Sequence, residues 1–234
     1  MMSEICLTLQ NMFKHYNYPK KVNTDIYIEA IQTYIDIVSQ YDEVQSIIQI
    51  GNIGVAGISD IDLIVFLDEK KNCSRDYSIY QIPKKFHQIL MHDVFIIPFS
   101  IAKYTGLITS VFESKHLYGK KISFNHFCKS DNFYKDLILL NDLAIVSLLF
   151  EYDLFWNIKR KNIKLIIARI NSIKYPINLL IKLYRFQNIK LDNLMLYDEF
   201  IRSFSKFRKS WFNNANEKNL NELWHYLNFC KKEL

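Results

Sequence analysis

The chain is poor in the residues that punctuate secondary structure. Its 234 residues hold only five glycines and four prolines, which excludes a collagen-like or linker-type composition. The four cysteines, Cys6, Cys73, Cys128 and Cys230, lie far apart and form no C-x-x-C pair. That scatter argues against a zinc site or a disulfide framework and fits a reducing compartment. Long apolar runs are missing too: the most apolar stretch, 137–150, is interrupted by Asn141 and Asp142 and is too short to cross a bilayer. Residues 1–21 show no basic start followed by an apolar run, so no secretory signal is expected, and the chain reads as a soluble cytoplasmic protein with no membrane partner.

What is present is a core. Half of the residues are apolar and 15% are aromatic, enough to bury a large share of the unfolded surface and to rule out a disordered chain. The net charge of +6 comes entirely from residues 130–234, because acids and bases balance in 1–129. Lys159-Arg160-Lys161 and the cluster from Arg202 to Lys209 would attract a nucleotide, a phosphorylated substrate or RNA, or else coat solvated helix faces.

Organisation shifts along the chain. Gly119 is the last glycine, and only Pro176 interrupts 120–234, a pattern that predicts stacked helices, near 131–173, 176–186, 192–207 and 217–231. The first half alternates short β-branched runs with turn residues. Thr24 is placed to cap a helix whose apolar stripe is Tyr27, Ile31, Tyr34, Ile35 and Val38. Strands are predicted at 46–50, 61–67 and 93–97, helices at 83–91 and 101–112, and a short closing segment at 116–122. The class is α+β, with one domain over 1–125 and an all-α domain over 126–234.

Three of the five glycines, Gly51, Gly54 and Gly57, fall within seven residues and lead into Ser59-Asp60-Ile61-Asp62-Leu63-Ile64-Val65-Phe66. On a strand, successive side chains alternate, so Asp60 and Asp62 share one face while Ile61, Leu63 and Val65 take the other. Two carboxylates about 4 Å apart repel by roughly 4 kcal/mol at an effective dielectric near 20. A cation, usually Mg²⁺, relieves that repulsion, and the preceding glycine turn offers backbone N–H groups to a phosphate.

Gly51-Asn52, the short glycine loop and Asp60-Ile61-Asp62-Leu63 resemble the Gly-Ser…Asp-x-Asp signature of the polymerase-β-like nucleotidyltransferase superfamily. The resemblance covers about residues 44–98, and more loosely 24–122. It implies a mixed sheet flanked by helices, with the helical second domain closing the cleft and contributing the acceptor site. It implies two Mg²⁺ ions held by Asp60 and Asp62, and a third carboxylate from a later strand, for which Asp93 is the candidate, with Asp76 and Glu113 as weaker ones. Asp93 would also help to deprotonate the attacking hydroxyl. His92 beside it reads as an ordinary boundary residue. Gly51, Asn52 and Ser59 would hold the nucleotide, with Lys120 or Lys121 reaching its triphosphate. Asn52 stands where the family usually has serine, and the loop 53–59 is shorter than in many members. The implied reaction moves a nucleoside monophosphate from an NTP to a small, sugar-containing acceptor and releases pyrophosphate. A protein side chain or an RNA 3′ end is the alternative acceptor, and a nucleotide- or partner-binding module without turnover is the alternative of another class.

Overall fold

The computed structural model describes residues 16–107, 114–123, 161–174, 177 and 194–233. The chain divides into two compact units, one of residues 21–142 and one of 1–20 together with 143–234. The expected boundary at 125/126 lies outside the described residues.

In the unit of residues 21–142, helix α1 (Asp25–Val38) buries Tyr27, Ala30, Ile31, Tyr34, Ile35 and Val38 on one stripe, as the helical spacing predicts. Its start differs from expectation. Thr24 already has helical backbone angles and makes no capping bond, so the neighbouring Asn23 takes the role, its Oδ1 accepting the Asp25 N–H at 3.2 Å. Strands β1 (Val44–Ile50), β2 (Asp62–Leu67), β3 (Phe95–Pro98) and β4 (Lys115–Gly119) form a mixed four-stranded sheet in the order β3-β2-β1-β4. Strand β1 is antiparallel to β2 and β4, and β2 is parallel to β3.

Strand β2 lies inside the sheet and is covered on both faces. Leu63, Val65 and Leu67 join Ile47 and the α1 stripe in the larger core, while Ile64 and Phe66 pack with Ile48 and Ala102 on the opposite face. This explains why β2 reads as an almost unbroken apolar run rather than an alternating one. The expected parity holds, with a refinement: Asp60 and Asp62 continue the line of Ile64 and Phe66, so the carboxylates sit at the open end of a face that is itself packed further along.

The predicted helices after β2 are shorter and tighter than expected. Residues Ile79–Gln81 and Lys84–Ile89 form 3₁₀ turns that bury Ile79, Phe86 and Ile89, and Phe99–Leu107 is also 3₁₀. Residues 108–112 of the second predicted helix lie outside the described ones. Strand β3 begins at Phe95 rather than Asp93 and keeps Pro98 paired with Leu67, which an edge strand tolerates because its outer N–H side needs no partner. At the end of β4, Gly119 has φ +76°, and any Cβ there would collide with the Gln45 carbonyl, which accepts the Lys120 N–H at 2.8 Å.

The second unit is helical in its described part. Helix α2 (Ile163–Ser172) is capped by Asn162, whose Oδ1 accepts the Leu165 N–H at 3.2 Å. The segment at Tyr16 belongs with it, bridging to Asn162 through backbone bonds of 3.1 Å to Lys161 and Ile163. Helices α3 (Leu194–Ser210) and α4 (Asn216–Glu233) match the predicted 192–207 and 217–231 closely. Phe200, Phe204 and Phe207 meet Tyr226, and Phe207 packs edge-on to Trp211. The predicted helix over 176–186 lies outside the described residues except for Ile177. No described helix is long and apolar enough to cross a membrane.

Candidate metal centre at the start of β2

Strand β1 ends at Ile50, opposite Asp62, and the chain returns through the glycine loop to Asp60. Gly51 turns with φ +69°, and a Cβ built on it would sit 3.4 Å from Asp62 Oδ2. A side chain there would be strained by the positive φ, and its Cβ would lie in ordinary contact with the carboxylate, so glycine serves the turn and leaves the space beside Asp62 unfilled.

The rest of the loop is tied internally. Ser59 Oγ accepts the N–H groups of Gly54 at 3.0 Å and Val55 at 2.9 Å. The buried Tyr27 hydroxyl accepts the Gly57 N–H at 2.9 Å and donates to the Ser59 carbonyl at 2.8 Å. Three N–H groups that the sequence offers to a phosphate are therefore engaged within the protein. Ser59, expected at the nucleotide, is buried and acts as the loop's inner acceptor. Asn52 is exposed, and its side chain makes no hydrogen bond among the described residues.

Asp60 and Asp62 differ in environment. Asp60 Oδ1 accepts the Ile61 N–H at 2.7 Å and the Met91 N–H at 2.9 Å. Its Oδ2 is buried without a hydrogen-bond partner among the described residues, 3.4 Å from His92 Nε2, and the side chain is only 10% exposed. Burial drives the Asp60 carboxyl up to about 6; the nearby His92 charge opposes this, the Asp62 charge adds to it, and the two N–H bonds oppose it. Asp62 is 38% exposed, and its Oδ1 lies 2.6 Å from His92 Nε2.

His92 closes the cluster. Its Nδ1 is 2.6 Å from the Asp93 carbonyl, and a carbonyl only accepts, so Nδ1 carries a proton. With Nε2 donating to Asp62, both nitrogens are protonated in this arrangement. The Asp62 bond raises the imidazole to about 9; burial works against the shift, and the Asp60 charge and the Asp93 carbonyl bond support it. The imidazolium thus stands between the carboxylates where a cation would otherwise balance them.

The constellation expected of Asp60, Asp62 and Asp93 is not the one brought together. Among the described residues, the candidate ligand atoms that lie within 4.8 Å of one another belong to Asp60, Asp62 and His92. Asp93 Oδ1 instead accepts the Ile79 N–H and the Val94 N–H, both at 2.8 Å, fastening the preceding 3₁₀ turn to the entry of β3. The reason is local. Continuing the ladder back from Ile64↔Phe95 would set Asp93 opposite Asp62, but the chain leaves the ladder before Phe95 and bends at Met91 and His92, so the imidazole enters the site. The one signal for His92 in the sequence was its place beside Asp93, and alternation within a strand cannot choose between neighbours where no strand forms.

Lys120 is also elsewhere. Gly119 pairs with Ser46 and Lys120 follows at Gln45, while Asp62 pairs with Ile50, so Lys120 is about five residues, or roughly 17 Å, along the sheet from Asp62. Its Nζ rests over the Phe99 ring at 5.3 Å. Asp76 turns its Oδ1 to the Ser78 N–H at 2.8 Å, Lys121 is exposed, and Glu113 lies outside the described residues.

The residues fit a divalent cation: two carboxylates converge, one presents a buried oxygen with no hydrogen bond, and a ring nitrogen faces both. No protein-family model matches the chain, and no curated protein is significantly similar to it.

Proposed function

We propose that the chain is a cation-dependent nucleotidyltransferase that moves a nucleoside monophosphate from an NTP to a hydroxyl or phosphate of a small acceptor in the cytoplasm. The observation that carries this reading is the carboxylate pair at the mouth of a β1–loop–β2 hairpin, with the buried Asp60 oxygen lacking a hydrogen bond and Gly51 leaving Asp62 open. The hairpin with a parallel neighbour at β3 supports a nucleotidyltransferase-like arrangement of the sheet. Asp60 and Asp62 would hold the cation, Mg²⁺ in the sequence expectation. Bound there, it would supply charge neutralisation at the triphosphate and acidify the attacking hydroxyl.

The chain's own residues supply position. Ser59 and Tyr27 fix the loop, so Asp60 is delivered at one height by Ile61 and Met91 N–H bonds. Asn52, exposed and unengaged, is free to donate its amide to a phosphate oxygen. The basic excess of residues 130–234 suits an anionic acceptor, and a protein side chain or RNA 3′ end is the competing acceptor.

A second reading, a nucleotide- or partner-binding module without turnover, is favoured by the loop N–H groups already engaged and by Asp93 turned to Ile79. Purified protein incubated with labelled NTPs, Mg²⁺ or Mn²⁺, and small-molecule, protein and RNA fractions of a lysate separates these. Pyrophosphate release with label in one fraction, lost in Asp62→Ala, supports transfer. Retained activity in Asp62→Ala refutes the proposed site, and NTP binding without pyrophosphate release supports the module.

A further inference from the structure

The third position of the cluster is a nitrogen, which changes what the site prefers to hold. His92 Nε2 lies 2.6 Å from Asp62 Oδ1 and 3.4 Å from Asp60 Oδ2. Neighbouring ligands on a cation with bonds of about 2.1–2.2 Å are roughly 3 Å apart, so these spacings bracket a ligand set with a proton standing in for the ion. A second observation is independent of the acids. The imidazole donates its far Nδ1–H to the Asp93 carbonyl at 2.6 Å, the same device by which ligating histidines fix ring orientation and direct the other nitrogen at a metal. A third is the Asp60 Oδ2 atom, on a side chain nine-tenths buried, facing His92 with no hydrogen bond of its own.

We propose that His92 Nε2 joins Asp60 and Asp62 as a cation ligand, and that this nitrogen makes the centre select Mn²⁺ over Mg²⁺. The proposal rests on the reading that the carboxylate pair holds a cation and is independent of nucleotidyl transfer. Mg²⁺ demands near-ideal octahedral oxygen coordination and keeps much of its water. Mn²⁺ accepts carboxylate equally well and tolerates imidazole, which rises in value along the first-row series. Asp93 does not complete an all-oxygen set here: its carboxylate is not among the ligand atoms that converge within 4.8 Å, and its Oδ1 accepts two backbone N–H groups instead. The residue that the strand pattern nominates is a structural fastener, and its neighbour is the ligand.

The test uses the full chain stripped with EDTA, exchanged into chelator-free buffer and titrated with Mn²⁺ in the absence of nucleotide. Bound Mn²⁺ is counted by electron paramagnetic resonance, its nitrogen ligation is read from ¹⁴N modulation in pulsed spectra, and Mg²⁺ is added as competitor. One bound Mn²⁺ with ¹⁴N modulation and at least about a tenfold preference over Mg²⁺ is expected. His92→Asn should lose the modulation and most of that preference, His92→Asp should recover Mg²⁺ binding, and Asp93→Asn should leave the modulation in place. Bound Mn²⁺ without ¹⁴N modulation in the unaltered chain overturns the proposal while leaving the carboxylate reading intact. Absence of Mn²⁺ binding at millimolar concentration overturns both. A preference unmoved in folded His92→Asn, checked by circular dichroism, also overturns it, and the unaltered chain's spectrum decides the matter if that variant does not fold.

Discussion

Two buried carboxylates sit at opposite ends of the β1–β2 hairpin, and their surroundings differ in kind. Glu43, just before β1, is 1% exposed. It accepts the Tyr77 hydroxyl at 2.5 Å and lies 3.6 Å from Arg75, whose guanidinium stacks on Tyr41 at 4.7 Å. Asp60, just before β2, is nearly as enclosed, yet one of its oxygens has no hydrogen bond and its nearest charged neighbours are another carboxylate and an imidazole. A buried acid is costly unless paired and hydrogen-bonded. The fold meets that cost at Glu43 and leaves it partly unmet at Asp60. On the proposed reading, that difference separates a structural end of the hairpin from one that takes a ligand.

The largest expected effect separates the ends by chemistry. Asp62→Ala should abolish NTP turnover and cation binding, while the metal-free protein stays folded and melts only slightly lower at neutral pH, because the His92 imidazolium loses its 2.6 Å partner but keeps the Asp60 charge beside it. Pyrophosphate release and thermal melts in EDTA measure the two sides. A variant that loses activity only by unfolding would erase the contrast with Glu43.

Part of this contrast was legible in the chain and part was not. The pair at Asp60 and Asp62, the β2 run, the α1 stripe and the two C-terminal helices follow from periodicity, which is a local property. His92 in place of Asp93 does not, because it depends on where β3 leaves its ladder, and that is decided by the Ile79 N–H reaching Asp93 from a turn fourteen residues earlier in the chain. Ser59 escaped for a similar reason. Its hydroxyl type suits a phosphate, and only the fold of the loop shows that Gly54 and Val55 claim it first. The predicted helix over 83–91 is a 3₁₀ turn over Lys84–Ile89, because the i, i+3 burial of Phe86 and Ile89 fits both periods.

At the other end of the hairpin, Glu43→Ala should destabilise by about 2–3 kcal/mol, since the buried Tyr77 hydroxyl loses its acceptor and a cavity opens. Urea melts measure it. Mn²⁺ affinity should stay within about twofold of the unaltered protein, a range that small, distant perturbations rarely exceed. A large fall in metal affinity would show that the two ends are coupled rather than independent.

The pH response should belong to the Asp60 end alone. His92 stands at about 9 in the fold against 6.5 as a free side chain, so its contribution is full below 6.5 and is lost as pH rises towards 9. Asp60 is raised from 3.8 to about 6, so burial favours its protonated form, and that contribution is present below 3.8 and lost as pH rises through 6. Both slopes have the same sign. In EDTA the melting temperature should fall between about pH 4 and 9 by roughly 5 °C, corresponding to about 1–2 kcal/mol after solvent screening of the part-exposed imidazole. Saturating Mn²⁺ should reverse the slope, because the cation needs both groups deprotonated. An equal slope in metal-free Asp60→Asn/His92→Asn would assign it elsewhere.

The smallest effect concerns how Asp60 is held. The Tyr27 hydroxyl is the one contact by which α1 grips the glycine loop among the described hydrogen bonds, taking the Gly57 N–H and giving its proton to the Ser59 carbonyl. Tyr27→Phe keeps the ring in the core and removes the hydroxyl with both of these bonds, so stability should drop by about 1 kcal/mol. The loop then keeps the Ser59 bonds and the packing of Ile53 and Ala56 but loses its tie to the helix hydroxyl, and the carboxylate one residue further on becomes less well placed for a cation. Mn²⁺ affinity should weaken about three- to tenfold, a change of well under 2 kcal/mol, and the ¹⁴N modulation from His92 should persist because the imidazole is fastened through Asp93 and not through the loop. Unchanged affinity with the same loss of stability would mean that Ile61 and Met91 hold Asp60 without help from the helix, and that this end of the hairpin is built as independently of its surroundings as the Glu43 end.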